Sequence, residues 1–499
     1  MPQSTRLDSG TATATACAVV AAGLEQLLGH PVAAWPGQGW TCIKQRTVRS
    51  VFRGDLDGVP VHIKLFRADK LSDRARDSLR GQRGQRECQH LLQARALGLP
   101  AAEPLAFGMA ADDEGLRSFV ITRTIADSAP FDFAMAAAVH DRVGRLLRRL
   151  HDLGAEASDL HPGNLLVDGH GQPWLIDLTA FRHSGEPKVS RRAHGLSIFC
   201  QHLDGGAIDR RARHLLEAYR NGAQVPLPHQ LEAQLELATR RWRADALPAF
   251  GRRSTRNCRH TEVEPRRRGQ PRWCWHLPGI DPAVRDRCHQ ALASPPDATK
   301  SGRRGGVWQL EELIMKRRDR GAAKKLWRAA YWLLFAGVDT ARPVAMCLQP
   351  GAGHVFAARI DNVPLDRELQ QGAMSPTAIT ACARALGRSI GRLHAHGLRN
   401  RDLKFDNLVR LPGSDRVAMV DLDGVRRKAA IDSRGSGADL GRLLAAFRQA
   451  GSPGGDATKR AFLRGWLRSH RDLLQRPPWR RVLRRAEQRA GEWFASHRD

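Results

Sequence analysis

One spaced set of residues occurs twice in the chain. Leu150 to Leu178 reads LHDLGAEASDLHPGNLLVDGHGQPWLIDL, and Leu393 to Val425 reads LHAHGLRNRDLKFDNLVRLPGSDRVAMVDLDGV. In each, an Asp is followed five residues later by an Asn: Asp159 and Asn164, or Asp402 and Asn407. A short apolar run then ends in another Asp, Asp177 or Asp421. His151 and His394 stand eight residues before the first Asp, and Gly144 and Gly387 seven residues before those. Upstream, ALGLP at Ala96 and FAGVD at Phe335 are each followed by a proline, Pro104 or Pro343, at the same distance from the glycine. Agreement in this order predicts two copies of one domain.

The residue types define a chemistry. Transfer of a phosphoryl group needs one carboxylate to orient the acceptor hydroxyl and take its proton. It also needs an amide and a second carboxylate to hold the metal that neutralises the phosphates. Asp159 and Asp402 fit the first role; Asn164 with Asp177, and Asn407 with Asp421, fit the second. The alternative, a basic surface loop with scattered acids, does not account for the spacing. A lysine on a strand, paired to a glutamate on the next helix, completes a nucleotide site of this kind. Val61-His62-Ile63-Lys64-Leu65-Phe66 supplies Lys64, and the arginine-rich helical segment after it supplies Glu87. In the second copy Leu313-Ile314-Met315-Lys316 supplies Lys316, but counting back from Gly337 places Leu326 where Glu87 stands. Glu311 or Glu312 is the nearest candidate replacement.

A chain of 499 residues is too long for one hydrophobic core and suits two domains or more. The predicted fold class is α+β, with two tandem bilobal domains, each a small antiparallel-sheet lobe followed by a helical lobe. The predicted boundaries are an N-terminal extension at 1–35, domain 1 at 36–247, a basic linker at 248–304 and domain 2 at 305–499. Hairpin strands are expected at Thr47–Phe52 and Val59–Phe66, around a Gly- and Asp-rich turn. Ser375-Pro376 reads as a helix start, with apolar positions from Ile379 to Leu393 on one stripe. The linker holds Cys258-x-His260 and Cys274-x-His276, whose one-residue gaps suit a zinc ion poorly. Trp273-Cys274-Trp275 is expected to pack on one of the domains.

A net charge of +29 favours anionic partners: nucleotides, phosphorylated sugars, anionic membrane surfaces or nucleic acid. No recognition motif accompanies the charge, so nucleic acid is not expected as a partner. Nine cysteines without a framework point to a reducing, cytoplasmic setting. No stretch approaches ~18 uninterrupted apolar residues, so any membrane contact is expected to be peripheral.

At these residues the chain resembles the lipopolysaccharide kinases, the Kdo and heptose kinases, within the protein-kinase-like superfamily. WRAAYWLLFAGVDTARPVA, LHAHGLRNRDLKFDNLV and MVDLDGVRR carry the closer resemblance, over roughly Val307 to Ala450. IKLFR, ECQHLLQARALGLPAAEPLAFG and SDLHPGNLLV in the first half look like a more divergent relative; its loop is also similar to that of aminoglycoside phosphotransferases. The resemblance implies ATP with Mg²⁺ and a sugar hydroxyl on an anionic, lipid-linked acceptor at the cytoplasmic face of the inner membrane. It makes Asp402 and Asp159 catalytic bases, and Asn407, Asp421, Asn164 and Asp177 metal ligands. Lys316, Lys64 and Glu87 become ATP-binding residues, and so does Lys404, whose counterpart in the first half is His161. Both halves lack a G-x-G-x-x-G loop, and Asn400 and Ala157 stand where the family pattern has histidine. Two rivals remain. A protein Ser/Thr kinase would carry Phe-Gly after Asp177 and Asp421, where Leu-Thr and Leu-Asp stand. A pseudokinase scaffold in one half is the other.

Overall fold

The computed structural model describes residues 4–8, 12–46, 49–66, 81–112, 115–201, 210–222, 230–258, 260–264, 270–276, 280–302, 305–428, 433–472 and 477–496. Part of the arginine-rich segment expected before Glu87, at 67–80, lies outside the described residues. The chain divides into two compact units at about residue 235, within the helix Leu231–Arg253. The sequence pattern predicts that boundary at 247, inside the same helix.

Unit 1 opens with a seven-stranded antiparallel sheet. Its strands are β1 (Ser4–Asp8), β2 (Thr13–Cys17), β3 (Thr41–Arg46), β4 (Arg49–Leu56), β5 (Val59–Phe66), β6 (Pro104–Asp112) and β7 (Gly115–Arg123), in the order β1-β2-β6-β7-β5-β4-β3. The β4–β5 hairpin turns at Asp57 and Gly58, both left-handed at φ 53° and 77°, which matches the right-handed twist of its strands. Helix α1 (Ala21–Leu28) and Trp35 cover one face of the sheet, with Phe52, Val61, Ile63 and Ile121 in the same core. Helix α2 (Arg83–Ala96) lies on the other side, where Cys88 packs with Phe66 and Val120.

The stretch read as an N-terminal extension is therefore part of the sheet. Ala12, Ala14 and Ala16 are buried while Thr13 and Thr15 point away, so the T-A-T-A-T-A run is a strand with period two. Small side chains suit it. A Cβ on Gly108 of the neighbouring strand would fall 2.2 Å from the Thr13 carbonyl.

Unit 2 repeats this order. Strands β8 (Thr261–Val263), β9 (Arg272–His276), β10 (Lys300–Gly302), β11 (Gly305–Leu310), β12 (Leu313–Arg318), β13 (Pro343–Leu348) and β14 (Gly353–Ala358) run β8-β9-β13-β14-β12-β11-β10. Three of the seven come from the segment expected to be a basic linker. β9 pairs with β13 from Arg272↔Leu348 to Trp275↔Ala345, and Trp273 and Trp275 stack at 4.7 Å on one face. Three consecutive buried side chains decide the fold here, against the arginines around them. The partner strand is ~70 residues away, so no local pattern announced it. Residues 265–269 of that segment lie outside the described residues.

Both units then become helical. In unit 1, α3 (Ala137–Asp152) packs on α4 (Arg210–Asn221). In unit 2, after α5 (Arg320–Phe335), α6 (Pro376–Ala395) packs on α8 (Gly455–Asp472), and α7 (Ser433–Gln449) on α9 (Trp479–Ala495). Ser375 caps α6 by accepting from Ala378 N at 3.2 Å. The repeated glycines have a packing reason. A Cβ on Gly144 would lie 2.3 Å from the Leu215 carbonyl, and one on Gly387 2.1 Å from that of Phe462. Alanine at a helix interior ordinarily gains about 1 kcal/mol over glycine. Here Gly144→Ala and Gly387→Ala are each expected to destabilise by about 1–3 kcal/mol through overpacking. Urea unfolding monitored by circular dichroism checks the sign: a raised midpoint would contradict the close approach.

Candidate functional site

In each unit two small ladders grip the repeated loop. In unit 1, Ala155–Ala157 pairs with Phe181–His183, and Leu165–Val167 with Pro173–Leu175. In unit 2, Leu398–Asn400 pairs with Val425–Arg427, and Leu408–Arg410 with Val417–Met419. A short 3₁₀ turn, Pro162–Asn164 or Phe405–Asn407, closes each loop. The carbonyls of Asn164 and Asn407 accept from Ile176 N at 2.9 Å and Val420 N at 3.1 Å. The first Asp, the Asn and the last Asp are thereby brought to one place although the last Asp is far along the chain.

In unit 1, Lys64 Nζ reaches Glu87 Oε1 and Oε2 at 2.9 and 2.8 Å and also bonds Asp177 Oδ1. Arg49, from β4, bonds the other oxygen of Asp177. Burial pushes the Asp177 carboxyl up, but the charges of Lys64 and then Arg49 outweigh it and hold it below the usual carboxylate range. Glu87, buried on α2, is pushed up by burial despite Lys64. Asp177 is also left-handed, at φ 59°, a conformation that costs a non-glycine residue and recurs at functional sites. Asn164 Nδ2 donates to the Asp159 carbonyl at 3.2 Å, so its amide oxygen remains for a cation. Asp159 Oδ2 accepts from Thr179 Oγ1 at 2.7 Å, while its Oδ1 is buried without a hydrogen bond among the described residues. An acceptor atom left in this way is costly unless a ligand donor completes it.

Unit 2 holds the corresponding groups with different partners. Asn407 Nδ2 donates to the Asp402 carbonyl and to its Oδ2, both at 3.0 Å. Lys316 Nζ lies 3.3 Å from Asp421 Oδ1. Burial raises the Asp421 pKa, but Lys316 first, then the Asp423 N–H, more than reverse this and keep it below its ordinary value. Leu326 is buried on α5 and lines the cleft, so no carboxylate stands where Glu87 does. The candidate replacements do not reach Lys316: Glu311 occupies the β11–β12 turn and Glu312 pairs with Arg287. Asp423, two residues beyond Asp421, is bonded by Arg318 Nη2 at 2.7 Å. Lys404 is half exposed and pairs with Asp406 at 3.1 Å, within the field of Asp402 and Asp421.

A cleft of roughly 730 Å³ opens over these groups in unit 2. Val307, Ile314, Val355 and Val409 line its apolar part, and Lys316, Asn407 and Asp421 its polar part. Size and lining suit a nucleotide, with the base against aliphatic side chains and phosphates toward the lysine. Among the described residues no group of three or more His, Cys, Asp or Glu could hold a metal. One carboxylate and one amide in each unit are nonetheless a fitting pair for Mg²⁺, which takes most of its oxygens from phosphates and water. Asp421 gives a test. Its lowered pKa means its contribution to stability is present above pH ~4 and is lost as pH falls through its native value. Asp421→Asn should flatten the loss of unfolding free energy between pH 5 and 3 (approximate limits); an unchanged slope in denaturant titrations would contradict the pairing.

Four residues were missed from sequence. Asp439, 2% exposed on α7, accepts from Asn400 N at 3.2 Å and from Arg399 Nη2 at 2.9 Å, fastening the loop of unit 2 from behind. Arg49 stands in the register position that Gly305 holds in unit 2, where φ is 115° and a Cβ would meet the Arg317 carbonyl at 2.1 Å. Tyr219 bonds His151 at 2.8 Å, as Trp466 bonds His394 at 3.1 Å, which makes the repeated histidines struts of the helical layer. Burial lowers the His151 pKa to about 3, so it stays neutral.

Residues 44–195 match the model of the lipopolysaccharide kinase (Kdo/WaaP) family. That range contains Lys64, Glu87, Asp159, Asn164 and Asp177. It falls in the half whose resemblance read as the weaker, and the Val307–Ala450 stretch lies outside it. A comparison with curated proteins found no match. Among the described residues no helix is long and apolar enough to cross a membrane.

Proposed function

We propose that the chain is an ATP-dependent phosphotransferase of two kinase-like domains, acting on a sugar hydroxyl of the lipopolysaccharide core or a related envelope glycolipid. The observation that carries the reading is the unit 1 cluster, Lys64 bonded to both Glu87 and Asp177 beside Asp159 and Asn164, inside the family-matched range. Lys64 and Lys316 would anchor the phosphates of ATP. Asn164 with Asp177, and Asn407 with Asp421, would hold Mg²⁺, whose chemistry when bound is to offset phosphate charge. Asp159 and Asp402 orient the acceptor hydroxyl and take its proton as its oxygen bonds to the γ-phosphorus and the bond to ADP breaks. The strongly basic composition suits an anionic acceptor at the cytoplasmic membrane surface, with the protein bound peripherally.

Leu326 favours a second reading for unit 2 alone, nucleotide binding with slow turnover, because among the described residues its lysine has only Asp421 as an acidic partner. Incubating the chain with γ-labelled ATP and an envelope lipid extract tests the function. Label in a glycolipid, located on a sugar by mass analysis, is expected; label confined to protein would favour a protein kinase instead.

A further inference from the structure

Beside Asp402, unit 2 has a second pocket of roughly 590 Å³, lined by eight arginines and one lysine against a single lining acid, Asp439; two of the arginines, Arg485 and Arg489, pair with Glu492 outside it. That acid is already engaged by Arg399 and the loop backbone. Among the described residues no carboxylate pairs with Arg401, Arg427 or Arg434. Arg399 and Arg426 sit directly opposite each other on paired strands, and among the described residues the Arg426 guanidinium bonds the carbonyls of Asp423 and Val425 and no carboxylate. Like charges in facing positions repel and destabilise a ladder.

The fold does not require this arrangement. In unit 1 the matching register position pairs Glu156 with Arg182, and Ser158 stands where Arg401 does. Unit 2 thus has a same-sign pair and an extra arginine where the repeated scaffold accommodates opposite charges. The first turn of α7, through Gly435, adds the positive end of a long helix to the same wall. Such a concentration of forked donors is relieved by a multivalent oxyanion, with which arginine forms paired hydrogen bonds. The pocket also abuts the reacting position: Arg442 Nη1 is 3.7 Å from Asp402 Oδ1.

We infer that this pocket binds a phosphomonoester carried by the acceptor, so that unit 2 phosphorylates a molecule that already bears a phosphate. The inference rests on unit 2 being a phosphotransferase, as proposed above. It places the reaction after a step that installs the first phosphate.

The test uses the full chain saturated with Mg²⁺ and a non-hydrolysable ATP analogue, so that both nucleotide sites are filled. Equilibrium dialysis with labelled glucose 1-phosphate should show binding that labelled glucose does not. Arg426→Glu with Arg434→Glu should weaken it by at least about tenfold, with analogue affinity, read by a fluorescent nucleotide, within about twofold of wild type because neither arginine lines the cleft. The Gln pair at the same positions, expected to weaken binding less than the Glu pair, serves if the Glu pair does not fold. Flotation on phosphatidylcholine vesicles doped with phosphatidic acid separates the sources. Retention lost in the double variant identifies a lipid headgroup, and sugar-phosphate binding without retention a soluble acceptor. Equal binding of glucose and glucose 1-phosphate, displacement of the analogue by the ester, or undiminished binding by the double variant would overturn the inference. Ester binding by a chain that binds no nucleotide would instead sink the kinase reading and leave the pocket standing.

Discussion

Asp159→Ala and Asp402→Ala are each expected to cut phosphoryl transfer at their own unit by about 100- to 10,000-fold, the range for removing a positioned proton acceptor. Neither substitution should move nucleotide affinity much, because the proposed phosphate anchors are Lys64 and Lys316 and the proposed metal ligands are the Asn and the second Asp of each loop. Asp159 Oδ1 has no hydrogen-bond partner among the described residues, and Asp402 is held through Asn407. With labelled ATP and the lipid extract, each single variant should retain the other unit's product and the double variant should retain none. A double variant that transfers at the wild-type rate would contradict the assignment of both loops. A single variant that alone removes all product shows which unit turns over.

Lys64→Met is the second large effect, and it acts on stability as well as on ATP. The lysine is the common partner of Glu87 and Asp177, whose side chains are 3% and 18% exposed. Removing one member of a buried ion pair leaves charge unpaired and costs about 3–5 kcal/mol. Arg49 still compensates Asp177; Glu87 has no other ion-pair partner among those the structure shows. Burial, the largest influence on Glu87, already raises its pKa. Without Lys64 it rises further, and a carboxyl whose folded pKa exceeds its unfolded value stabilises at low pH and loses that contribution as pH rises. The variant's deficit in unfolding free energy should therefore grow from acid toward neutral pH. Loss of nucleotide binding at unit 1 should accompany it. Unchanged binding, or a deficit independent of pH, would refute the placement of Lys64.

What was legible in the sequence is what chemistry fixes locally. The five-residue step from Asp to Asn is short because one loop must present both groups. The last Asp follows an apolar run because a buried strand delivers it. Lys64 and Glu87 could be paired in advance because a strand and the following helix bring them together, 2.8 Å apart in the structure. Leu326 was visible too, by counting from Gly337. What failed depended on partners distant in the chain. β1 and β2 looked like a flexible start because threonine and alanine carry little hydropathy, although the alternation was present. Trp273–Trp275 packs on a domain as expected, but that it does so as a strand was hidden in a basic surround, because its partner lies at Cys347 and Ala345. Asp439 and Arg49 carry no local motif: one acts through a backbone amide and an arginine side chain of the loop, the other through strand register.

We propose that each unit holds a metal-bound triphosphate between an acid, an amide and a second acid. Isothermal titration of the full chain with Mg²⁺ and a non-hydrolysable ATP analogue tests it most directly. Two nucleotides per chain are expected, one in either Asp177→Ala or Asp421→Ala, and none in the double variant. A wild-type chain that takes up no nucleotide, or a double variant that still binds two, would contradict it.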